Sequence, residues 1–174
     1  MEQHARLFFA LVPPDDLALQ LNRLAAGEKK VTTEKLTRTG MMHMTLRYIG
    51  QADDSVRQCL LSAKLFDAVT KFQLQLDITG YWKRSRILWC GPDKTNDALR
   101  HLQQQLEKTC QQCGLKAESR SFKAHVTLLK NAGDYHRRSK VALSVWPVNH
   151  FVLLASISTE QGVIYKELKR WPLK

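Results

Sequence analysis

The chain has 174 residues, 44% of them apolar, which suits a folded globular unit and excludes a disordered polymer. Lys and Arg number 27 against 16 Asp and Glu, a net charge of +11 that points to an anionic partner such as nucleic acid, an anionic membrane or an acidic small molecule. No apolar run nears the roughly 20 residues of a membrane span, and Pro13-Pro14-Asp15-Asp16 halts the first apolar run without a leader-cleavage pattern, so a cytoplasmic protein is expected.

In chain order, Arg6–Val12 reads as a strand, followed by a helix that Asp15 or Asp16 caps and Gly27 stops. Val31–Met42 is polar and irregular. His43–Ile49 reads as a strand ending at Gly50, and Asp53 or Asp54 caps a second helix bearing Val56, Leu60 and Ala63. Phe72 through Ile78 alternates cleanly as a strand, Gly80–Ser85 reads as a turn, and Arg86–Cys90 as the next strand. Leu99, Leu102, Leu106 and Cys110 set the apolar stripe of a long helix, Asp97–Cys113, stopped by Gly114. A basic loop leads through Phe122-Lys123-Ala124 into another strand. Residues 145–148, 151–158 and 163–168 close the chain as strands, the last two joined around Glu160-Gln161-Gly162. Cys59, Cys90, Cys110 and Cys113 read as reduced cysteines, since a chain with this much core needs no disulfide framework and shows no zinc spacing.

One phrase is written twice: His43-Met44-Thr45-Leu46 and His125-Val126-Thr127-Leu128. The surroundings repeat as well. Leu7 precedes His43 by 36 positions (43 − 7) and Ile87 precedes His125 by 38 (125 − 87), each interval holding strand, turn and helix. A duplication of β-α-β units is the economical reading. The expected fold is α+β and bilobal, with largely antiparallel sheets around a central cleft that carries both motifs, residues 1–174 forming a single domain of two pseudo-symmetric lobes. No flexible linker divides the lobes.

Alternation along a strand turns His and Thr of each motif to one face and its apolar partners to the other. Two imidazoles near neutral pKa and two hydroxyls converge on one small polar group. One His can protonate a leaving alkoxide while the other activates a nucleophile, and the hydroxyls can hold phosphoryl oxygens. The residues alone leave open which His is the acid. His4, His101, His136 and His150 lack such a context and read as surface or structural residues. No carboxylate or Cys/His cluster fit for a metal cage is present, so neither metal nor other cofactor is called for.

The paired motifs, 82 positions apart (125 − 43), with Leu46-Arg47-Tyr48-Ile49-Gly50, Leu7–Leu11, Gly80–Trp89 and Tyr165…Leu168…Trp171-Pro172-Leu173, resemble the two-histidine (2H) phosphoesterase superfamily. The resemblance is to its bacterial RNA 2′,3′-cyclic phosphodiesterase branch, also called the 2′-5′ RNA ligase (LigT-like) family. It implies metal-free hydrolysis of RNA 2′,3′-cyclic phosphate ends to 2′-phosphomonoesters, with weak reversible 2′-5′ joining. It implies His43 as proton donor to the departing 3′-oxygen, His125 as proton acceptor, and Thr45 and Thr127 on the phosphoryl oxygens. Thr39-Gly40-Met41-Met42 departs from the family's usual Pro-Glu-Asn-x, Ala124 stands where Pro is common, and Lys130 where Arg is. Lys130 brings charge to phosphate without a bidentate fork, and strict alternation sets it on the Val126 face, so reaching the site requires a bulge.

For RNA, Trp82 and Phe122 are candidate stacking faces and Arg84 and Arg86 candidate liners of the approach, Arg86 serving equally as an edge charge. The expected partner is RNA with 2′,3′-cyclic phosphate ends, tRNA halves among them, with no membrane and no obligate protein partner, the chain acting as a monomer. The competing readings are an RNA-end-binding module without chemistry, and a phosphodiesterase of 2′-5′ oligonucleotides or small nucleotide cyclic phosphates.

Overall fold

In the computed structural model, residues 5–63, 69–135 and 138–174 are described. Strand β1 (Arg6–Leu11) leads to helix α1 (Asp15–Glu28), the short β2 (Lys35–Leu36), a 3₁₀ turn at Thr39–Met41 and β3 (Met44–Gly50). Then come α2 (Asp54–Ser62), β4 (Phe72–Leu74), β5 (Ile78–Trp82), β6 (Ile87–Gly91) and α3 (Asp97–Gln112). The chain continues as β7 (Val126–Lys130), β8 (Ser139–Lys140), β9 (Trp146–Val148), β10 (His150–Thr159) and β11 (Gly162–Pro172).

One antiparallel sheet runs β11-β10-β1-β3-β7-β6-β5-β8, with β2 added beside β7, and β4 pairs with β9 separately. The order reads as two mirrored quartets meeting at β3 and β7. Those two strands share the pair Met44↔Val126, the second residue of each motif. Equivalent positions of the two copies thus face each other where β3 and β7 meet. Even the irregularities repeat. In β3, Arg47 pairs with Phe9 and Thr45 with Ala10, leaving Leu46 as the extra residue; in β7, Leu129 pairs with Leu88 and Thr127 with Trp89, leaving Leu128. Each motif thus ends in a bulge, which resets the alternation of faces beyond it.

The helices cover the face opposite the motif His and Thr. Leu17, Leu21 and Ala25 of α1, and Leu99, Leu102, Leu106 and Cys110 of α3, are completely buried in one cluster with Met44, Leu46, Val126 and Leu128. Helix α1 lies against β7, and α3 against β3, so each helix supports the strand of the other half.

Several boundaries differ from the sequence reading. Helix α1 begins at Asp15 with Pro14 as N-cap and no side-chain cap, and it continues through Gly27 to Glu28, because its buried face extends to Ala25. Asp53 caps α2 by accepting the Val56 N–H at 2.9 Å, and Asn96 caps α3 in the same way through Leu99 at 2.8 Å. The Phe72–Ile78 run is split: Phe72–Leu74 pairs with β9, and Ile78 opens β5 in the main sheet. Gly80–Trp82, expected as a turn, is strand. The reason lies across the ladder, where Trp89 covers Gly80 so closely that a Cβ there would stand 2.2 Å from its Cζ2. The expectation of reduced cysteines fails for one pair: Cys59 on α2 and Cys113 at the end of α3 form a disulfide, while Cys90 and Cys110 are buried thiols. His101 is exposed and bonded to Gln105, and His150 is half-buried at the start of β10. His4 and His136 lie outside the described residues.

Candidate active site

Because β3 and β7 run antiparallel through Met44↔Val126, one step either way sets His43 across from Thr127 and Thr45 across from His125. Cross-strand neighbours stand about 5 Å apart, so the four side chains form one patch on the face away from the helices. Each imidazole is tied in the same way. Nδ1 of His43 meets the Met41 carbonyl at 2.9 Å and Nδ1 of His125 meets the Lys123 carbonyl at 2.7 Å. A carbonyl can only accept, so Nδ1 carries the hydrogen in both rings and Nε2 is left for a ligand.

Burial pushes His43 down to about 4, against the upward pull of the Met41 carbonyl and with added repulsion from His125 and Lys130. Burial likewise lowers His125, opposed by the Lys123 carbonyl. Burial thus disfavours the charged form of both rings, and an anion at the patch favours an imidazolium. Lys130 is among the groups whose charge disfavours an imidazolium at His43. At the bulge the alternation breaks: Leu128 and Leu129 are both buried and Lys130 is exposed.

The walls differ on the two sides. His43 is enclosed by Phe8, 4.9 Å between ring centres, and by the edge of Tyr165 at 5.1 Å. Trp82 meets His125 edge-on at 4.5 Å, with Trp89 behind it at 5.4 Å and Lys123 Nζ 5.8 Å from the Trp82 ring centre. A cleft of about 750 Å³ opens beside His125, with Trp82 and Phe122 on its walls. Of the residues expected to contact RNA, Trp82 and Phe122 reach this cleft. Arg84 is exposed in the Lys83–Arg86 turn and does not line it. Arg86 is a brace: its guanidinium donates to the Asn131 carbonyl at 3.0 Å and the Ala132 carbonyl at 3.3 Å, fixing the chain just past Lys130. The sequence reading missed Phe8 and Tyr165. Phe8 was detectable as the β1 residue of the same parity as Ala10, the partner of Thr45; Tyr165 arrives from a hairpin distant in sequence.

Two imidazoles with free Nε2 atoms, two hydroxyls and an ammonium on a matched pair of strands define a two-histidine phosphoesterase. The family model described as the 2′-5′ RNA ligase superfamily matches residues 13–157, and the chain belongs to that family. It is 28% identical over 183 aligned positions to the RNA 2′,3′-cyclic phosphodiesterase of Escherichia coli (strain K12), covering 99% of each. It is 23% identical to the RNA 2′,3′-cyclic phosphodiesterase of Methanocaldococcus jannaschii, over 95% of this chain and 99% of that protein. Among solved structures it is similar to E. coli LigT in apo form, with a TM-score of 0.88 at 27% identity and 99% of both chains covered. The likeness to E. coli LigT complexed with 3′-AMP has a TM-score of 0.86 at 26% identity, again over 99% of both chains.

Proposed function

We propose that the protein hydrolyses RNA 2′,3′-cyclic phosphodiester ends to 2′-phosphomonoesters, and joins RNA ends weakly and reversibly through 2′-5′ bonds. The observation that carries this is the cross-strand convergence of His43, Thr127, Thr45 and His125 where β3 and β7 meet. The related enzymes named RNA 2′,3′-cyclic phosphodiesterase support the substrate class.

In the reaction, the terminal cyclic phosphate sits over Met44 and Val126 with Thr45 and Thr127 donating to its non-bridging oxygens. Lys130 supplies positive charge that grows in value as charge builds on those oxygens. The phosphate anion raises the proton affinity of the buried imidazoles, and His43 takes up the proton it delivers. His125, held as the Nδ1–H tautomer by the Lys123 carbonyl, accepts the proton of the attacking water through Nε2. The P–O3′ bond breaks as the new P–O bond forms, and His43 Nε2–H protonates the departing 3′-oxygen. Two proton transfers of ~10²–10⁴-fold each are available from these rings. On the His125 side Phe122 and Trp82 offer stacking faces to RNA, and Arg84 adds charge along the approach.

The partner on this reading is the 3′ end of RNA, tRNA halves included, acted on by a monomer in the cytoplasm as one domain of two lobes. Among the described residues no helix is long and apolar enough to cross a membrane. The test is an oligonucleotide ending in a 2′,3′-cyclic phosphate, incubated with chelator present and its product identified. The wild type should yield the 2′-phosphate, and His43→Ala and His125→Ala should each lose at least about a hundredfold in turnover with native circular dichroism. Near-normal hydrolysis by either variant would rule out paired acid–base catalysis, and a wild type that binds the cyclic end without turning it over would favour the RNA-end-binding module.

A further inference from the structure

A duplicated fold offers two equivalent grooves beside the phosphate patch, each between one motif strand and the segment leading into the other. Here one is closed and the other open. On the first side β2 zips onto β7 through Lys35↔Lys130 and Leu36↔Leu129, and the Thr37 N–H donates to the Leu128 carbonyl at 2.9 Å. On the second side the residue equivalent to Leu129 is Arg47, and it holds the incoming segment away from β3. Its Nε meets Glu107 at 2.5 Å, one terminal nitrogen reaches the Lys116 carbonyl at 2.7 Å, and the other lies 3.7 Å from Glu118. Glu107 also accepts the Glu118 N–H at 3.0 Å. An ion-pair strut thus replaces a strand ladder, and the space it keeps open is the cleft of about 750 Å³.

That volume lies in the ~300–1,000 Å³ range of small-molecule sites, whereas a water needs about 30 Å³. His125 is among its lining residues, and His43, walled by Phe8 and Tyr165, is not. Tyr48, Trp82 and Phe122 supply aromatic faces, while Gln103 and Ser121 line it with polar groups that have no hydrogen-bond partner among the described residues.

We infer that this cleft is the site of a second nucleotide, the one that presents a 5′-hydroxyl to the cyclic phosphate during joining and departs when a 2′-5′ bond is cleaved. The inference rests on the cyclic-phosphodiesterase reading and on His125 as its base. In-line displacement sets the attacking and leaving oxygens on opposite sides of phosphorus. With His43 on the 3′-oxygen, the ribose of the cyclic end lies on the His43 side. A cavity that opens at His125 and leaves out His43 is therefore on the side of the nucleophile. Water would make no use of aromatic walls or a glutamine amide, but a nucleoside would: its base can stack on Phe122 or Tyr48 and present its edge to Gln103. The 5′-oxygen bonds to phosphorus, its proton passes to His125, the P–O3′ bond breaks, and the proton of His43 goes to the 3′-oxygen. No other reactant is consumed.

The test compares two fates of one donor. An oligonucleotide with a 2′,3′-cyclic phosphate end is incubated with a 5′-hydroxyl oligonucleotide, and hydrolysed and 2′-5′-joined products are quantified. Cleavage of a 2′-5′-linked oligonucleotide reads the same site in reverse. Ser121→Trp, at an exposed loop position, fills the cleft; Gln103→Ala removes the edge contact. Joining and 2′-5′ cleavage should fall by about ten- to a hundredfold in Ser121→Trp, the loss of one stacked base, and by less in Gln103→Ala, with hydrolysis and donor KM unchanged. A raised donor KM with an unchanged ratio of joining to hydrolysis would instead place the cyclic nucleotide in the cleft. No effect of either variant, or a wild type that hydrolyses yet neither joins nor cleaves 2′-5′ bonds, would overturn the assignment alone. A wild type without hydrolysis would overturn the underlying reading, and the assignment with it.

Discussion

Glu34, 1% exposed in the loop before β2, holds together the segment that carries Lys130. Its carboxylate accepts the N–H groups of Lys30 at 2.6 Å, Val31 at 3.1 Å and Gly133 at 2.6 Å, and the Tyr135 hydroxyl at 3.2 Å. Burial by itself would raise its pKa; the backbone donors and the phenol outweigh burial and hold it at about 2. Glu34→Gln keeps the shape but turns an NH₂ toward at least one N–H that had an acceptor. A hydrogen bond to a charged group is worth about 1.5–3 kcal/mol and an orphaned buried donor costs about as much, so a net loss of about 2–3 kcal/mol is expected. For a chain this size that lowers Tm by roughly 4–12 °C. The folded pKa lies below the ordinary 4.5, so this stabilisation is complete above about pH 4.5 and is lost as pH falls through that value toward 2. Urea unfolding followed by tryptophan fluorescence at pH 7 and pH 3 measures both terms. The gap between wild type and variant should be wide at pH 7 and shrink at pH 3. An equal gap at both pH values would refute the claim that the ionised carboxylate provides the stabilisation.

The pH dependence of hydrolysis carries a second expectation. Turnover needs one imidazolium and one imidazole, and burial lowers both rings in the free enzyme, His43 to about 4. The kcat/KM profile should therefore already be declining as pH passes upward through 6.5, while kcat, measured with phosphate bound, should hold to higher pH; a kcat/KM that climbs through pH 7 would contradict this. Gly80→Ala would drive a methyl into Trp89 and through it displace Trp82, which stands 4.5 Å from His125. Thermal melts should show a loss of about 1–3 kcal/mol, with reduced turnover in the same variant, and wild-type values of both would refute the close fit.

What was legible in the sequence was whatever depends on near neighbours. The two tetrapeptides announce their faces because alternation is local, and the stripes of α1 and α3 announce their cores for the same reason. Gly80–Trp82 was misread because glycine before two aromatics resembles a turn until Trp89 is seen lying over it. That Lys130 leaves the Val126 face only through a bulge was legible, but the extra residue, Leu128, is defined only by its partner strand. The Cys59–Cys113 disulfide joins residues 54 positions apart on different helices, which spacing cannot reveal. Arg47 likewise finds Glu107 60 positions away, so the strut that keeps the cleft open has no local signature.

The crossing of the helices bears on how the molecule is made. As the chain emerges during synthesis, α1 is complete about a hundred residues before its distant support, since Glu28 precedes Val126 by 98 positions (126 − 28). Until β7 arrives, the apolar stripe Leu17–Leu21–Ala25 lacks part of its cover, and β3 waits in turn for α3. Contacts closed over such long loops form slowly, because the chain loses its freedom before the contacts reward it. The strand that completes α1's packing is the one that delivers His125 and Thr127. Docking and arming are thus a single event, and a half-made chain holds one motif imidazole and no pair.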